Sequence, residues 1–281
     1  MLVGLLAVLS AAVLGSADFV GGMATKRAKA IVVVVWSNLA GLATALIAVM
    51  LILPGRVTGA DVGWGVLAGL CGSGGAVLLY YALANGAMSM VAPTTAATAA
   101  TLPLVVGVLG GDRLSPIAAL GIAFGIAGIV LVSLTSTAAA STRRIDIRAL
   151  LCALAAGAGF GGLFVLLAQT SSGGSLWPLV WARCATVPLL LTIVAVQRIG
   201  LRVAQPTWAL AVLSGILDMS STILYLLAVR IGTLSVVGVL ASLYPVSTVL
   251  LARFIIRERI RPVQLAGVAL AVGSVAMLAS A

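Results

Sequence analysis

"DRLSPIAALGIAFGIAGIVLVSL" (residues 112–134) and "ERIRPVQLAGVALAVGSVAMLAS" (258–280) read as one segment written twice. Each begins with an acid and an arginine, turns at a proline, and continues as an uncharged run long enough to cross a bilayer. Asp112 falls on Glu258, Arg113 on Arg259, Pro116 on Pro262, Gly121 on Gly267 and Ala123 on Ala269, all at a shift of 146 residues. The same shift pairs Val66, Leu67 and Gly69 with Val212, Leu213 and Gly215. It also pairs Leu78, Ala82, Gly86, Ser89, Val91 and Leu104 with Leu224, Ala228, Gly232, Ser235, Val237 and Leu250. A shift of 145 brings Val35, Trp36, Ala40 and Leu46 onto Val180, Trp181, Ala185 and Leu191, and sets Asn38 opposite Arg183. Self-similarity at a fixed period spanning both halves of a chain marks an internal duplication.

The chain of 281 residues is 62% hydrophobic and 8% charged, with a mean hydropathy of +1.27. That composition belongs to an integral membrane protein. The segments lack the alternation of a membrane β-barrel, and the 32 glycines suit helices that pack closely in lipid. Ten apolar runs are predicted as spans: 2–22, 30–53, 62–84, 88–110, 116–134, 149–169, 176–196, 208–229, 233–256 and 262–280. The stretch "TSTAAASTRRIDIR" (135–148) alone reads as a linker, and it falls at the midpoint.

The expected fold is therefore an all-α integral membrane protein of ten transmembrane helices in two five-helix repeats. The repeats occupy residues 1–137 and 149–281, joined by a cytoplasmic linker at 138–148. Five is odd, so the second copy enters the membrane in the opposite sense, and the repeats are inverted. Inverted repeats are the architecture by which secondary transporters expose one central site to each side in turn.

The net charge of +10 is spread over short loops, which argues for topology rather than nucleic acid. Loops after odd-numbered spans hold eleven basic residues (Lys26, Arg27, Lys29, Arg143, Arg144, Arg148, Arg198, Arg202, Arg257, Arg259 and Arg261). Loops after even-numbered spans hold three, Arg56, Arg113 and Arg230. The excess places the odd loops in the cytoplasm and both termini outside. The first segment has no basic stretch before its apolar run and reads as a retained anchor rather than a signal peptide.

Ionisable groups inside the spans are few: Asp18, Arg183, Asp218 and, near a helix end, Arg253. Such groups are costly in lipid and by default indicate function. Asp218 sits near the middle of span eight, with Ser214, Ser221, Thr222 and Tyr225 on its face. Arg183 lies about 10 Å into span seven with Thr186 beside it. Two readings are open for Arg183 and Asp218. They form a structural ion pair, or Arg183 holds a substrate carboxylate or phosphate while Asp218 takes an amine or a proton. Asp18, flanked by Gly15 and Gly22, is either a cavity carboxylate near the inner gate or the anchor of a helix end. Arg253 can snorkel to the interface.

Trp36, Asn38, Tyr80, Tyr81, Trp181 and Tyr244 add polar or aromatic surface, and all but Trp181 join Asp18, Arg183, Asp218 and Tyr225 as expected substrate contacts. Pro93, Pro103 and Pro245, in corresponding parts of spans four and nine, point to gating helices. "GAGFGG" (157–162) matches a dinucleotide fingerprint in letters only, since it follows no strand, and is expected to be close packing. Gly121 and Gly125, echoed by Gly267 and Ala271, mark tight-contact or homodimer faces. Cys71, Cys152 and Cys184 have neither disulfide nor zinc spacing.

Together, "GSADFVGGMATKR" (15–27), "SLYPVSTVLLARFIIRERIRP" (242–262) and the ten spans in two copies resemble the EamA-like branch of the drug/metabolite transporter superfamily. The resemblance covers essentially the whole chain, although Asp112 stands where the pattern usually has Glu. It implies an exporter or exchanger of small organic solutes, with helices 1–4 and 6–9 around a central cavity and helices 5 and 10 peripheral.

No histidine, Walker loop or paired catalytic carboxylates are present, so the chain is not expected to be an enzyme, and neither cofactor nor metal is called for. The reading is a secondary transporter of small organic solutes such as amino acids or metabolites. It would work by alternating access in the plasma or bacterial inner membrane, with proton coupling open. Its partners are the solute, protons and lipids, with a homodimer as a further expectation. A structural subunit, a membrane enzyme and a lipid flippase are the rivals.

Overall fold

A computed structural model describes residues 2–51, 58–85, 88–133, 147–170, 176–255, 257 and 261–280. The elements are α1 (Leu2–Thr25), α2 (Ala30–Leu51), α3 (Gly59–Asn85), α4 (Met88–Leu109), α5 (Pro116–Ser133), α6 (Ile147–Ala168), α7 (Trp177–Val196), α8 (Gln205–Ile231), α9 (Leu234–Ala241), α10 (Tyr244–Ile255) and α11 (Pro262–Ser280). Among the described residues ten helical segments are long and apolar enough to cross a membrane, with α9 and α10 counted as one. An all-helical membrane architecture follows from the backbone. In hydrocarbon every N–H and C=O must find a partner within the protein, and the helix achieves this inside one segment. Most of the linker expected at 138–148 lies outside the described residues, as do Glu258 and Arg259 of the repeated motif.

The helices pack reciprocally. α1 lies against α8 and α6 against α3, α2 touches α7 and α8, and α7 touches α2 and α3. α4 packs on α6 as α10 packs on α1, while α5 and α11 pair with each other at the side. The register is reciprocal too. Gly69 of α3 abuts the Ala182 backbone of α7, and its counterpart Gly215 of α8 abuts the Ser37 backbone of α2. Gly121 meets Met277 and Leu278, and its counterpart Gly267 meets Leu131 and Val132. Each of these contacts becomes the other when residue numbers are exchanged by 145 or 146.

Without a hydrophobic force between helices in lipid, close approach and interhelical hydrogen bonds hold the bundle together. Gly159 of α6 lies on the Cys71 carbonyl and Gly75 of α3, and Gly157 and Gly161 receive α4, so "GAGFGG" is a packing face. The equivalent seam between α1 and α8 is polar. The Ser10 hydroxyl reaches the Ser221 carbonyl at 2.9 Å, the Ser221 hydroxyl reaches the Ser10 carbonyl at 2.8 Å, and Ser214 donates to the Ala17 carbonyl at 3.0 Å. Gly121, Gly125 and Gly128 of α5 are tight-contact positions against α11, with Gly125 also against Val239 of α9.

The ninth span departs from the expected single helix. It stops at Ala241, turns through Ser242 and Leu243, and resumes at Tyr244. Pro245 has no N–H to offer the Ala241 carbonyl four residues back, so the ladder breaks there. α4 contains Pro93 and Pro103 but runs unbroken. The acceptor freed by Pro103 is the Ala99 carbonyl, and it faces the bare backbone of Gly161 on α6. The start of α9 is held from the other half: Asp112 accepts from the Ser235 N–H at 2.9 Å and its hydroxyl at 2.8 Å, a cap on an otherwise open helix end.

Gly69→Val forces a side chain into the α7 backbone and should cost about 3 kcal/mol. Gly74, on the same helix, is exposed with open space where a Cβ would sit. Gly74→Val should leave melting in detergent unchanged, and equal melting of the two variants would contradict this packing.

Candidate functional site

The centre of the bundle encloses a cavity of about 330 Å³. That lies at the small end of the range for ligand pockets, and most of its wall is apolar, with a few convergent polar groups. α8 supplies Asp218, which has thirteen residues of helix on either side and so sits at mid-span. α7 supplies Arg183, six residues after Trp177. α2 supplies Asn38, α1 supplies Asp18, and Tyr244 enters from the first turn of α10.

Arg183 is the hub. Its Nη2 forms an ion pair with Asp218 Oδ2, and its Nη1 donates to Asn38 Oδ1 at 2.5 Å. Asn38 is oriented by its own helix, since its Nδ2 donates to the Val34 carbonyl at 2.9 Å, which turns the amide oxygen toward the guanidinium. Gly41 of α2 makes the room: a Cβ there would stand 3.3 Å from Arg183 Nε. Asn38 and Arg183, paired by the repeat register, thus meet face to face between α2 and α7. The Arg183 and Asp218 side chains are 18% and 33% exposed, so the cavity reaches both charges.

Asp18 lies seven residues before the end of α1 and is exposed to the same cavity. Asp218 and Tyr244 line the cavity with it. Asp18 makes no hydrogen bond or ion pair among the described residues. The cavity reading of Asp18 is thus the one its position supports. For Arg183 and Asp218 the two readings merge, because the residues pair with each other and line the cavity together.

Other expected contacts lie elsewhere. Tyr225 is fully buried, stacks on Phe164 with ring centroids 4.5 Å apart, and donates to the Phe164 carbonyl at 2.9 Å. Trp36 packs edge-on to Trp208 and donates to the Leu201 carbonyl at 3.1 Å, away from the cavity lining. Tyr81 is 49% exposed and outside the lining, and the side chain of Tyr80 is outside the described residues. Of the stripe around Asp218, only Thr222 faces the cavity, because Ser214 and Ser221 serve the α1 seam. Pro93 and Pro103 are buried in α4 outside the lining, and Pro245 follows Tyr244 at the start of α10. Arg253 is exposed in the last turn of α10, where an arginine can snorkel.

Sequence reasoning missed Ser37, Ser73, Phe160 and Phe164 in the wall. The repeat register carried a signal for Ser37, which pairs with Ala182 as Asn38 pairs with Arg183. Ser73 sits 3.1 Å from Thr186, hydroxyl to hydroxyl, joining α3 to α7. Asp61 was also missed. It is 1% exposed and exchanges hydrogen bonds with Thr58 at 2.7 and 3.1 Å, a capping box announced by "TGAD" (58–61).

The fold and the site together define a ten-helix membrane bundle with a charged, partly open cavity at mid-span. Residues 147–280 match the model of the EamA-like transporter family, and the ten long apolar helices make the chain a multi-pass membrane protein. A protein known from a crystal structure shares the fold, with a TM-score of 0.76 at 20% identity over 98% of this chain and 94% of that one. No curated protein matches the sequence.

Asp218→Asn leaves the Arg183 charge without its counterion and should cost roughly 2 kcal/mol, below a fully buried pair because the cavity partly solvates both groups. Asp218→Asn combined with Arg183→Gln should recover much of that loss in detergent melting. Additive losses in the double variant would show that the pair is not coupled.

Proposed function

We propose that the chain is a secondary transporter that exports or exchanges small organic solutes, amino acids or related metabolites, by alternating access. It consists of two inverted five-helix repeats, residues 1–137 and 149–281, joined by the linker at 138–148. The observation that carries this reading is the clasp of Arg183, Asp218 and Asn38 at mid-span, open to a cavity bounded by both halves. A structural subunit has no use for an accessible charge at the place where lipid penalises it most.

The reciprocal packing supports the inverted arrangement. If the α1–α8 and α3–α6 seams exchange contacts during transport, a site on the axis between them faces each side in turn. The break before Tyr244 supplies a joint next to the cavity, and a helix interrupted beside a binding site is a recurring device of transporters. Pro245 is the gating proline of this reading. Pro93 and Pro103 shape α4, the counterpart of the broken span. The cavity then binds solute through a few polar side chains on an apolar wall, and coupling to protons would use Asp18 or Asp218.

The excess of basic residues in the odd loops supports both termini outside, and the membrane of this reading is the plasma or bacterial inner membrane. A reporter fused to Ala281 should signal only from the external side, and a cytoplasmic signal would reverse the orientation.

Counterflow in proteoliposomes tests the activity. Preloaded small organic solutes, from amines and carboxylates to amino acids and related metabolites, are each tried. At least one should drive uptake of its labelled counterpart, and Arg183→Ala should slow that initial rate at least about ten-fold, as expected when a buried charge loses its partner. Protein-dependent counterflow of none of them, with folded protein confirmed, would remove the transporter assignment.

A further inference from the structure

The charge inventory of the cavity narrows the solute class beyond the transporter reading, on which it rests. Among the described lining residues there are two carboxylates, Asp18 and Asp218, and one guanidinium, Arg183. Both terminal nitrogens of Arg183 are committed, Nη2 to Asp218 and Nη1 to Asn38. Each terminal nitrogen thus already gives one N–H to the protein, and a solute carboxylate would have to share the guanidinium with Asp218 and Asn38. Asn38 is in turn fixed by the Val34 carbonyl, so its amide is not poised to release the guanidinium.

Asp18 stands differently. It comes from α1, faces the cavity, and has no hydrogen-bond or ion-pair partner among the described residues. With Asp218 neutralised by Arg183, the empty cavity carries one surplus negative charge whenever Asp18 is ionised. A carboxylate in a low-dielectric cleft demands a counterion far more strongly than one in bulk water. Tyr244, Phe160 and Phe164 line the same cavity. A carboxylate, a hydroxyl and aromatic surface in one small cleft suit a cationic head on an apolar body, with ring faces attractive to the cation. At about 30 Å³ for each water-sized group, 330 Å³ admits a body of about ten non-hydrogen atoms.

We propose that the cavity takes compact organic monocations, a primary amine or guanidine carried on an apolar skeleton, and that Asp18 is the residue that binds the cationic head. Tyr244 positions that head by hydrogen bonding, and the Arg183–Asp218–Asn38 clasp forms the neutral floor. Anions are repelled by Asp18. Zwitterions gain little from their carboxylate, because it must share the guanidinium with Asp218 and meets the charge of Asp18.

The test uses purified full-length protein in detergent and reads thermal melting. The probes are butylamine, cyclohexylmethylamine and phenethylamine, each compared with the neutral alcohol and the carboxylate of the same skeleton, with phenylalanine as the zwitterion. At least one amine should raise the melting temperature by about 5 °C at a hundred-fold excess over its Kd, while the alcohols, carboxylates and phenylalanine should not. Asp18→Asn should weaken that amine at least ten-fold without lowering the melting temperature of the empty protein. Asp18→Glu, which keeps the charge, should restore binding and covers the case in which the asparagine variant folds poorly. No stabilisation by any amine, equal stabilisation by alcohol or carboxylate, or full affinity in Asp18→Asn would overturn the proposal. Counterflow separates this from the transporter reading. Exchange of a carboxylate solute that survives Asp18→Asn ends the cation assignment and leaves transport intact. Amine binding without any counterflow keeps the site and ends transport.

Discussion

A guanidinium placed among ten apolar helices must be neutralised and hydrogen-bonded where it stands, and much of the centre of this protein is arranged to do so. Arg183 on α7 is met by Asp218 on α8 and Asn38 on α2. Gly41 clears space for the guanidinium on α2, and Gly215 lets α8 lie on the Ser37 backbone of the same helix. The clasp therefore joins one helix of the first half to two of the second. Because a transmembrane bundle lacks a hydrophobic force between its helices, a charge pair of this kind fixes orientation where apolar packing alone is permissive.

Chemistry concentrates where the duplicated halves differ. Exchanging numbers by 145 or 146 turns Asn38 into Arg183, Asp218 into Gly72 and Asp18 into Phe164, and all six line the cavity. The scaffold contacts behave the other way, with Gly69 and Gly215, or Gly121 and Gly267, repeating one another's environment. The α1–α8 and α3–α6 seams also diverge, one using reciprocal serine hydrogen bonds and the other bare glycine backbones. Corresponding positions of the two halves that hold different groups give the cavity a polarity that neither half has alone.

Most of the architecture was legible in the letters because the bilayer imposes one length and one secondary structure on each span. Nine spans matched single helices to within a few residues at their ends. The remaining one, the ninth (233–256), was legible as a span but not as a broken one, since Pro245 and Pro103 look alike in sequence and differ in what packs against them. The clasp was half legible. The register set Asn38 opposite Arg183, and depth along the helices placed Asp218 near them. Which face each aromatic presents depends on helix rotation, which apolar runs specify poorly, and so Tyr225 and Trp36 read as site residues when they are packing. The same weakness hid Phe160 and Phe164, two apolar residues in an apolar helix.

Alternating access, as proposed, requires the cavity to be reachable from each side of the membrane in turn. Ser73 lines that cavity and is bonded only to Gly69 and Thr186 among the described residues. Ser73→Cys, made after Cys71, Cys152 and Cys184 are changed to serine, can be challenged with a membrane-impermeant thiol reagent on each side of sealed vesicles. Labelling from both sides, with the balance moved by a bound solute, is the predicted result. Labelling from neither side, or from one side only under every condition, would contradict the account.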